Sequence, residues 1–512
     1  MTQYQVADTP SDVRKGILLL TACLTGILIP LCFTGPAVVL PAISQQLGGS
    51  AVQLNWVVNG YILTYGSAML AAGSLADVCG RKRVWIAGLL LFVLVTFAIP
   101  LATSVIGIDI LRLLQGLGGA AAFAGAMSSL ARTFCGPRRP HVFSMLGTTF
   151  GIGLAFGPLA AGWLTGIAGW RWVFLATALI GLIGLLLVMV AVEELRDPET
   201  NGLDWPGVIS FTATLTLFTC AVLLAPQAGW NNRTVIMLLI SALLLLIAFI
   251  RIEHRVIHPI LDLSLFRQAR FIGVQVLAAS PAFFFVTLIV LLPGRFIGID
   301  GLSAFAAGKM MIALAAPLLL VPFIAAWLSC WWTAGVLSAT GLVLSALGLV
   351  WLGEVVAGGP GPVLIAPLAL IGIGIGLPWG LMDGMAVSVV EKERAGMATG
   401  IFNCVRVTAD GVAIALAGAL LAFLIQGYLM NALPDSPAGV VASAASRAAL
   451  GELQQAAAQS GGMQKLILQA YDAAFRTMLF TLAGLSALTA LLVLKLLGRQ
   501  RPHQPDQIEH RI

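Results

Sequence analysis

Charge is what this sequence has least of. Asp, Glu, Lys and Arg make up only 10% of its 512 residues, while 59% are hydrophobic. A soluble domain carries roughly 25% charged residues, so a water-soluble globular protein of this size is excluded. The net charge of +6 does not point to nucleic acid either, because the cations fall in short clusters between long apolar runs. The seven cysteines (23, 32, 79, 135, 220, 330 and 404) show no CxxC spacing, which argues against a disulfide framework and against zinc. His141, His254, His258, His503 and His510 all lie outside the apolar runs, so proton relays through intramembrane histidine are excluded. No Walker-type sequence is present, so ATP does not drive this chain. The glycine-rich run IGIGIGLP (371–378) lacks the preceding soluble strand that a nucleotide fingerprint needs. The first apolar run is too long for a signal-peptide core and lacks an early A-x-A site, so no cleavage is expected.

What is present is a succession of apolar runs, each long enough to span a bilayer as a helix of about 20 residues. They are far longer than the alternating segments of a barrel strand, so the fold class is all-α and integral to the membrane. Segmentation at charge clusters and Gly/Pro turns predicts fourteen spans: 17–41, 54–76, 84–103, 105–130, 143–167, 173–192, 207–226, 234–252, 271–293, 303–327, 333–353, 362–386, 397–425 and 474–497. With the N-terminus inside, sixteen Lys and Arg residues fall beside inner loops and only Arg171, Arg233, Arg295 and Lys309 beside short outer ones. The positive-inside rule therefore places both termini in the cytoplasm. The fifth and thirteenth spans both follow a basic turn and carry spaced glycines. That weak repeat fits a plan of six, two and six helices.

One stretch breaks the apolar monotony. GSLADVCGRKRVW (73–85) forms the inner turn between spans two and three, combining Gly73, Asp77, Gly80, Arg81 and Arg83. Glycines permit close backbone approach and a tight turn. Asp77 at the membrane edge can cap a neighbouring helix or pair with Arg81 or Arg83.

The stretch resembles the signature GxLaDrxGrk of the major facilitator superfamily, with Val78 where a basic residue is usual. IDILRLLQGLGGAA (108–121) resembles that family's fourth-helix motif, lxxxRxxqGxgaa. GLAFGPLAAG (153–162) resembles the antiporter motif gxxxGPxxGG, with Ala161 in place of one glycine. Fourteen spans, together with WVVNGYILTYGSAMLAAGSLAD, GWRWVFL, HPILDLSLFRQARF and ERAGMATGIFNCVR, are similar to the drug:proton antiporter branch with two extra central helices.

The resemblance implies a cytoplasmic tail (1–16), an N-terminal six-helix bundle (17–195) and two linker helices (206–253). It further implies a C-terminal six-helix bundle (271–497) with a long outer loop (426–473), then a second cytoplasmic tail (498–512). The bundles are expected to rock about a central cleft. The opening turn resembles the latch holding them together on the inner side. Arg112 resembles the arginine assigned to proton movement, and Gly153, Gly157 and Pro158 resemble the antiporter hinge. Two departures stand out. LCFTGPAVVLP puts Cys32 where the branch usually has an acid and Ala37 where it has Asn. The second-half counterpart of the latch, AAWLSCWWTAG, carries no charge.

Ionisable residues at bilayer depth are expensive and mark function. Arg112 has Asp109 one turn away, so proton coupling stands against a local ion pair. Arg406 and Asp410 lie four apart on one face of span thirteen. Asp410 sits near mid-membrane, where it is either a replacement for the missing first-span acid or half of a fixed pair. Asp383 follows Trp379 by four on span twelve, as a contact for a lipophilic cation or as an interfacial acid.

The expected function is proton-coupled export of small amphipathic or cationic organic compounds, a multidrug-efflux activity, across the cell's inner membrane. The alternatives are an exporter of one metabolite, such as a siderophore or a self-made antibiotic, and a non-transporting membrane sensor. No enzymatic activity, metal or cofactor is expected. The partners are a small-molecule substrate, protons and the lipid bilayer, with no nucleic acid, and the chain is read as a monomer.

Overall fold

The computed structural model describes residues 12–49, 51–134, 138–194, 204–229, 231–256, 261, 263–390, 395–433, 437–459 and 463–498. Both tails therefore lie almost wholly outside the described residues. Long helices dominate: α1 (Asp12–Leu47), α2 (Ala51–Cys79), α3 (Arg81–Ala98), α4 (Val105–Thr133), α5 (Arg138–Ala168), α6 (Arg171–Ala191), α7 (Trp205–Ala228) and α8 (Arg233–Glu253). After the linker come α9 (Ala269–Pro281), α10 (Thr287–Gly294), α11 (Ala304–Ala315), α12 (Pro317–Leu328), α13 (Ala334–Val355) and α14 (Ile365–Ser388). The chain ends with α15 (Ala395–Ala432), α16 (Ala438–Ala449), α17 (Leu453–Gln459) and α18 (Gln464–Leu497).

Thirteen of these helices or joined pairs are long and apolar enough to cross a bilayer. The more polar α2, at 29 residues, is the fourteenth. The protein is thus an all-α, multi-pass membrane protein.

Polar side chains inside the spans satisfy themselves locally. Thr21, Thr25, Thr34, Ser67, Thr96 and Ser129 each donate to a carbonyl four residues back, which removes the cost of a bare hydroxyl in hydrocarbon. Helix starts carry side-chain caps where the chain re-enters: Ser104 accepts from the Gly107 amide, Asp204 from Gly207 and Thr333 from Val336.

Helices α1 to α6 pack on one another, chiefly α4 on α2 and α3, and α1 on α5 and α6. Helices α9 to α18 form a second group, led by α13 against α14 and α18. The groups meet where α5 crosses α11, α12 and α14 and where α2 crosses α15. Helices α7 and α8 pack together, and α7 lies against both α2 and α15. It thus flanks one of the seams between the groups.

The span expected at 271–293 is longer and less regular. It runs Ala269–Ile299 and is interrupted by two wide turns, at Ala282–Val286 and Arg295–Ile299. Such π-type insertions loosen the backbone ladder and recur at functional positions.

The segment expected as an outer loop at 426–473 is largely helical. α15 continues to Ala432, α18 starts at Gln464, and α16 and α17 lie between. Val441, Ala444, Ala445, Ala448 and Ala456 are buried, so this segment is a packed cap on the second group. At its turn, a methyl on Gly451 would lie 2.7 Å from the Gly294 carbonyl oxygen. Backbone rests on backbone there.

Candidate functional site

The motif glycines act first as packing surfaces. Gly153 and Gly157, four apart on α5, face α1. A methyl on Gly153 would lie 2.9 Å from the Ile27 carbonyl oxygen, and one on Gly157 would collide with the Thr34 hydroxyl. Pro158 follows inside the same helix. Close approach of this kind is what small residues provide in a membrane, where lipid is as apolar as leucine.

Gly80 has φ of 106°, which side chains resist, and it turns the chain between α2 and α3. At that turn Arg83 reaches Glu194 at 3.6 Å, and Lys82 donates to the Met189 carbonyl at 3.1 Å. Arg14 pairs with Glu193 beside them. These partners all belong to the first helix group. Arg81 also has interactions of its own at this turn. The side chain of Asp77 lies outside the described residues. Gly73 differs from expectation: nothing lies within 4 Å of where its methyl would be, so no close approach occupies it in this conformation.

Arg112 is fully buried in α4, held by neutral groups. Its guanidinium donates to the Val57 carbonyl at 2.6 Å, to Gln115 Oε1 and to the Cys32 carbonyl, and it stands 4.7 Å from the Tyr61 ring centre. Gln115 is itself anchored to Thr96 Oγ1 at 2.7 Å. Among the described residues no ion pair joins Arg112 to Asp109, so the local pair the spacing suggested is not formed. Arg112 turns instead to the Val57 and Cys32 carbonyls and to Gln115. Asp109 is only partly buried, and its Oδ1 has no hydrogen-bond partner among the described residues.

Arg406 also finds a different partner. Instead of Asp410 on its own helix, its Nη1 faces Asp383 Oδ1 on α14 at 3.5 Å, and its Nη2 donates to Asn403 at 2.7 Å. The guanidinium lies 5.2 Å from the Phe150 ring of α5 and 5.6 Å from Phe402. Asp383 is buried against this guanidinium. The Arg406–Asp383 bridge ties α15 to α14 within the second group.

Asp410 is then left without an ion pair among the described residues. Its position, 15 residues into α15, is about 22 Å along the helix. It opens onto a narrow cavity between the two helix groups, lined also by Phe33, Tyr61, Tyr65, Phe150 and Val286.

Aromatic rings connect the cavity walls. Tyr61 stacks on Tyr65 at 5.7 Å between ring centres, Tyr65 meets Phe123, Phe123 meets Phe150, and Phe150 meets Trp379 at 6.1 Å. Phe285, in the first wide turn, closes the row against Trp379 at 6.0 Å. Trp379 and Asp383 lie where α14 meets α5 of the first group: a methyl on Gly147 would touch both, at 3.6 and 3.7 Å.

Tyr61, Tyr65, Phe150 and Phe285 were absent from the candidate residues read from the sequence. Only their shared depth across different helices could have singled them out. No group of metal-ligating side chains occurs among the described residues.

The site can present a bare carboxylate to a small aromatic-walled space deep in the bilayer. A negative charge there is offset by Arg406 one turn away and further by a proton or a bound cation. Cation–π attraction from the rings favours the latter when the cation is organic.

Comparisons with known proteins agree with this architecture. The sequence model described as Major Facilitator Superfamily matches residues 22–413. The drug efflux pump JefA of Mycobacterium tuberculosis is 29% identical over 422 residues, covering 81% of this chain and 83% of the relative. The cephamycin export protein CmcT of Amycolatopsis lactamdurans is 32% identical over 404 residues, 76% and 81% of the two chains. The multidrug transporter protein MdtP of Bacillus subtilis is 25% identical over 78% and 75%. Among solved structures, the peptide transporter POT in complex with sulfate superposes with a TM-score of 0.60 at 15% identity, covering 94% of this chain and 95% of that one. The human organic anion transporter MFSD10 (TETRAN) gives 0.58 at 14%, covering 94% and 100%. At such identity these structures speak to the fold alone.

Proposed function

The chain belongs to the major facilitator superfamily, and on that premise we propose that it is a proton-coupled secondary transporter exporting small amphipathic or cationic organic compounds by alternating access. The observation that carries this reading is Asp410, a deeply buried carboxylate without an ion pair among the described residues, facing an aromatic-lined cavity between two helix groups. A proton and an organic cation compete for one negative charge there. Loading either from its own side, and reorienting only when the charge is balanced, couples their opposite movements. The relatives named as drug efflux pump and multidrug transporter support the substrate class.

The remaining roles follow from that cycle. The units that rock are 17–195 and 271–497, with 206–253 riding on their flank through α7. The Gly80, Arg81 and Arg83 turn, with Gly73 and Asp77, is the latch at the cytoplasmic end. In the conformation described, Arg83 rests on Glu194 of its own half. Gly153, Gly157 and Pro158 form the hinge that keeps α5 close to α1. Arg112 holds the first-half wall of the cavity through Tyr61, and Asp109 is the group nearest to it in sequence for proton exchange. Trp379 and Asp383 extend the substrate surface. Both termini lie in the cytoplasm of a cell whose inner membrane the chain spans as a monomer.

A second reading has its own support. The cephamycin export protein is among the relatives, which favours export of a single metabolite made by the same cell. Proteoliposomes with an imposed pH gradient separate the two. Accumulation of several unrelated dyes and quaternary ammonium compounds, abolished by an uncoupler, is the expected result. Saturable transport of one compound class alone establishes the second reading. Gradient-independent accumulation of every compound tried overturns both.

A further inference from the structure

A second cluster of buried charge lies away from the cavity, where the chain leaves the span Ala269–Ile299. Its centre is Arg295, in the second wide turn and 1% exposed. Its Nη2 stands 2.7 Å from Asp472 Oδ1 of α18 and donates to the Val356 carbonyl at 3.0 Å. Its Nε faces Asp300 Oδ2 at 3.6 Å. The rings of Tyr471 and Phe475 lie 5.5 and 5.2 Å from the guanidinium.

The cluster is incompletely satisfied. Arg295 Nη1 and Nε, Asp300 Oδ2 and Asp472 Oδ1 have no hydrogen-bond partner among the described residues, although the Arg295 and Asp300 side chains are more than nine-tenths buried. Two carboxylates thus share one cation in a largely dry setting, and one of them is held only loosely. A site with one positive and two negative groups has a natural ligand for the surplus charge.

We propose that Asp300, Arg295 and Asp472 form a second proton-binding site, on the extracytoplasmic side, that fastens the outer end of the span Ala269–Ile299 to α18 when occupied. The side assigned rests on the orientation given above; the proton binding itself does not rest on the transport reading. The titratable and charged groups facing Asp300 are Arg295 on its own segment and Tyr471 and Asp472 on α18. Burial is the largest influence and lifts the Asp300 carboxyl above its ordinary pKa, Arg295 opposes the lift, and Asp472 adds to it.

With the proton on Asp300, Arg295 and Asp472 pair one to one and the cluster is neutral. Without it, the buried net charge is −1 and Arg295 is drawn between two acids. Acid therefore tightens the clasp and alkali loosens it. The same wide turn rests on the outer cap, because a methyl on its Gly298 would collide with the Gly451 backbone. The state of the cluster is thus transmitted to α16 and α17.

The test uses the full chain in liposomes with no substrate. pH-difference infrared spectroscopy reads the protonated-carboxyl band while pH is varied on the side bearing residues 300 and 472. The native protein is expected to show a titrating component, separate from that of Asp410, which is lost in Asp300→Asn. Asp472→Asn moves the transition to lower pH by about one unit or more, because a like charge is gone, and Arg295→Gln moves it to higher pH. If Arg295→Gln does not fold, the downward shift in Asp472→Asn decides alone. An Asp300→Asn titration identical to the native one, or an unshifted or upward transition of the Asp300 component in Asp472→Asn, overturns the proposal. Failure of export with a normal carboxyl titration would instead strike the transport reading.

Discussion

The two halves of the molecule treat buried arginine in opposite ways. In the first, Arg112 is wrapped by two backbone carbonyls, a glutamine and a tyrosine ring. In the second, Arg406 and Arg295 are met by carboxylates from other elements, Asp383 in one case and Asp300 with Asp472 in the other. The groups that the Arg112 guanidinium touches carry no charge of their own. Acidic partners make the local charge depend on protons. The turns between helices follow the same division. The first half has Arg81, Lys82 and Arg83, whereas the corresponding turn of the second has the exposed Trp327, Trp331 and Trp332, residues suited to the membrane interface. The described contacts thus set carboxylates beside the buried arginines of the second half and neutral groups around that of the first.

The largest effect that would break this division concerns Asp410. Asp410→Asn is expected to reduce gradient-driven transport at least tenfold with no loss of folded protein, measured in vesicles beside size-exclusion recovery. Full coupling in that variant would move the proton site elsewhere. Next comes the contrast between arginines. Arg112→Gln strands the Val57 and Cys32 carbonyls and is expected to cost roughly 2–4 kcal/mol of stability, read as thermal unfolding in detergent. Arg406→Gln leaves Asp383 able to shed its charge by binding a proton. The expected loss is less than half as large, and the pH profile of transport changes instead. Equal unfolding losses for the two would erase the distinction.

A smaller effect sharpens the role of the hinge. Gly157→Ala forces a methyl against Thr34 and is expected to cost about 1–3 kcal/mol through the separation of α1 from α5. Smallest is Gly73→Ala, where space is open. Stability is expected to rise by roughly 0.5–1 kcal/mol, as for alanine replacing glycine within a helix. Lost transport in a stabilised Gly73→Ala protein would locate the need for glycine in another conformation of the cycle.

Much of the fold was readable because hydrocarbon thickness imposes a length on every span and water imposes charge at every turn. Boundaries at α13 and α14 agree closely for that reason. Gly153 and Gly157 of the fifth helix are four apart, and that spacing puts them on the one face that meets α1. Partnerships between helices were not readable in this way. Helical periodicity offers Arg406 only Asp410 and offers Arg112 only Asp109, whereas tertiary packing brings Asp383 to the first and carbonyls to the second. Arg295 looked like a cation beside an outer loop. A wide turn, for which no local residue preference exists, extends the span past it and faces it inward. The 426–473 segment lacks the strong apolar runs of a span, and its alanine-rich helices are stabilised by docking on their neighbours rather than by their own pattern.

The row of rings from Tyr61 to Phe285 has a consequence for guests of varied outline. Rings in contact at 5.7–6.4 Å form a chain of nearly interchangeable links, so a flat visitor can take the place of one link and be held by those on either side. Insertion then swaps one ring contact for another. Discrimination among visitors would fall to their flatness and thickness more than to their hydrogen-bonding groups, and a compound too bulky to sit between two links would be turned away however well its charge suited Asp410.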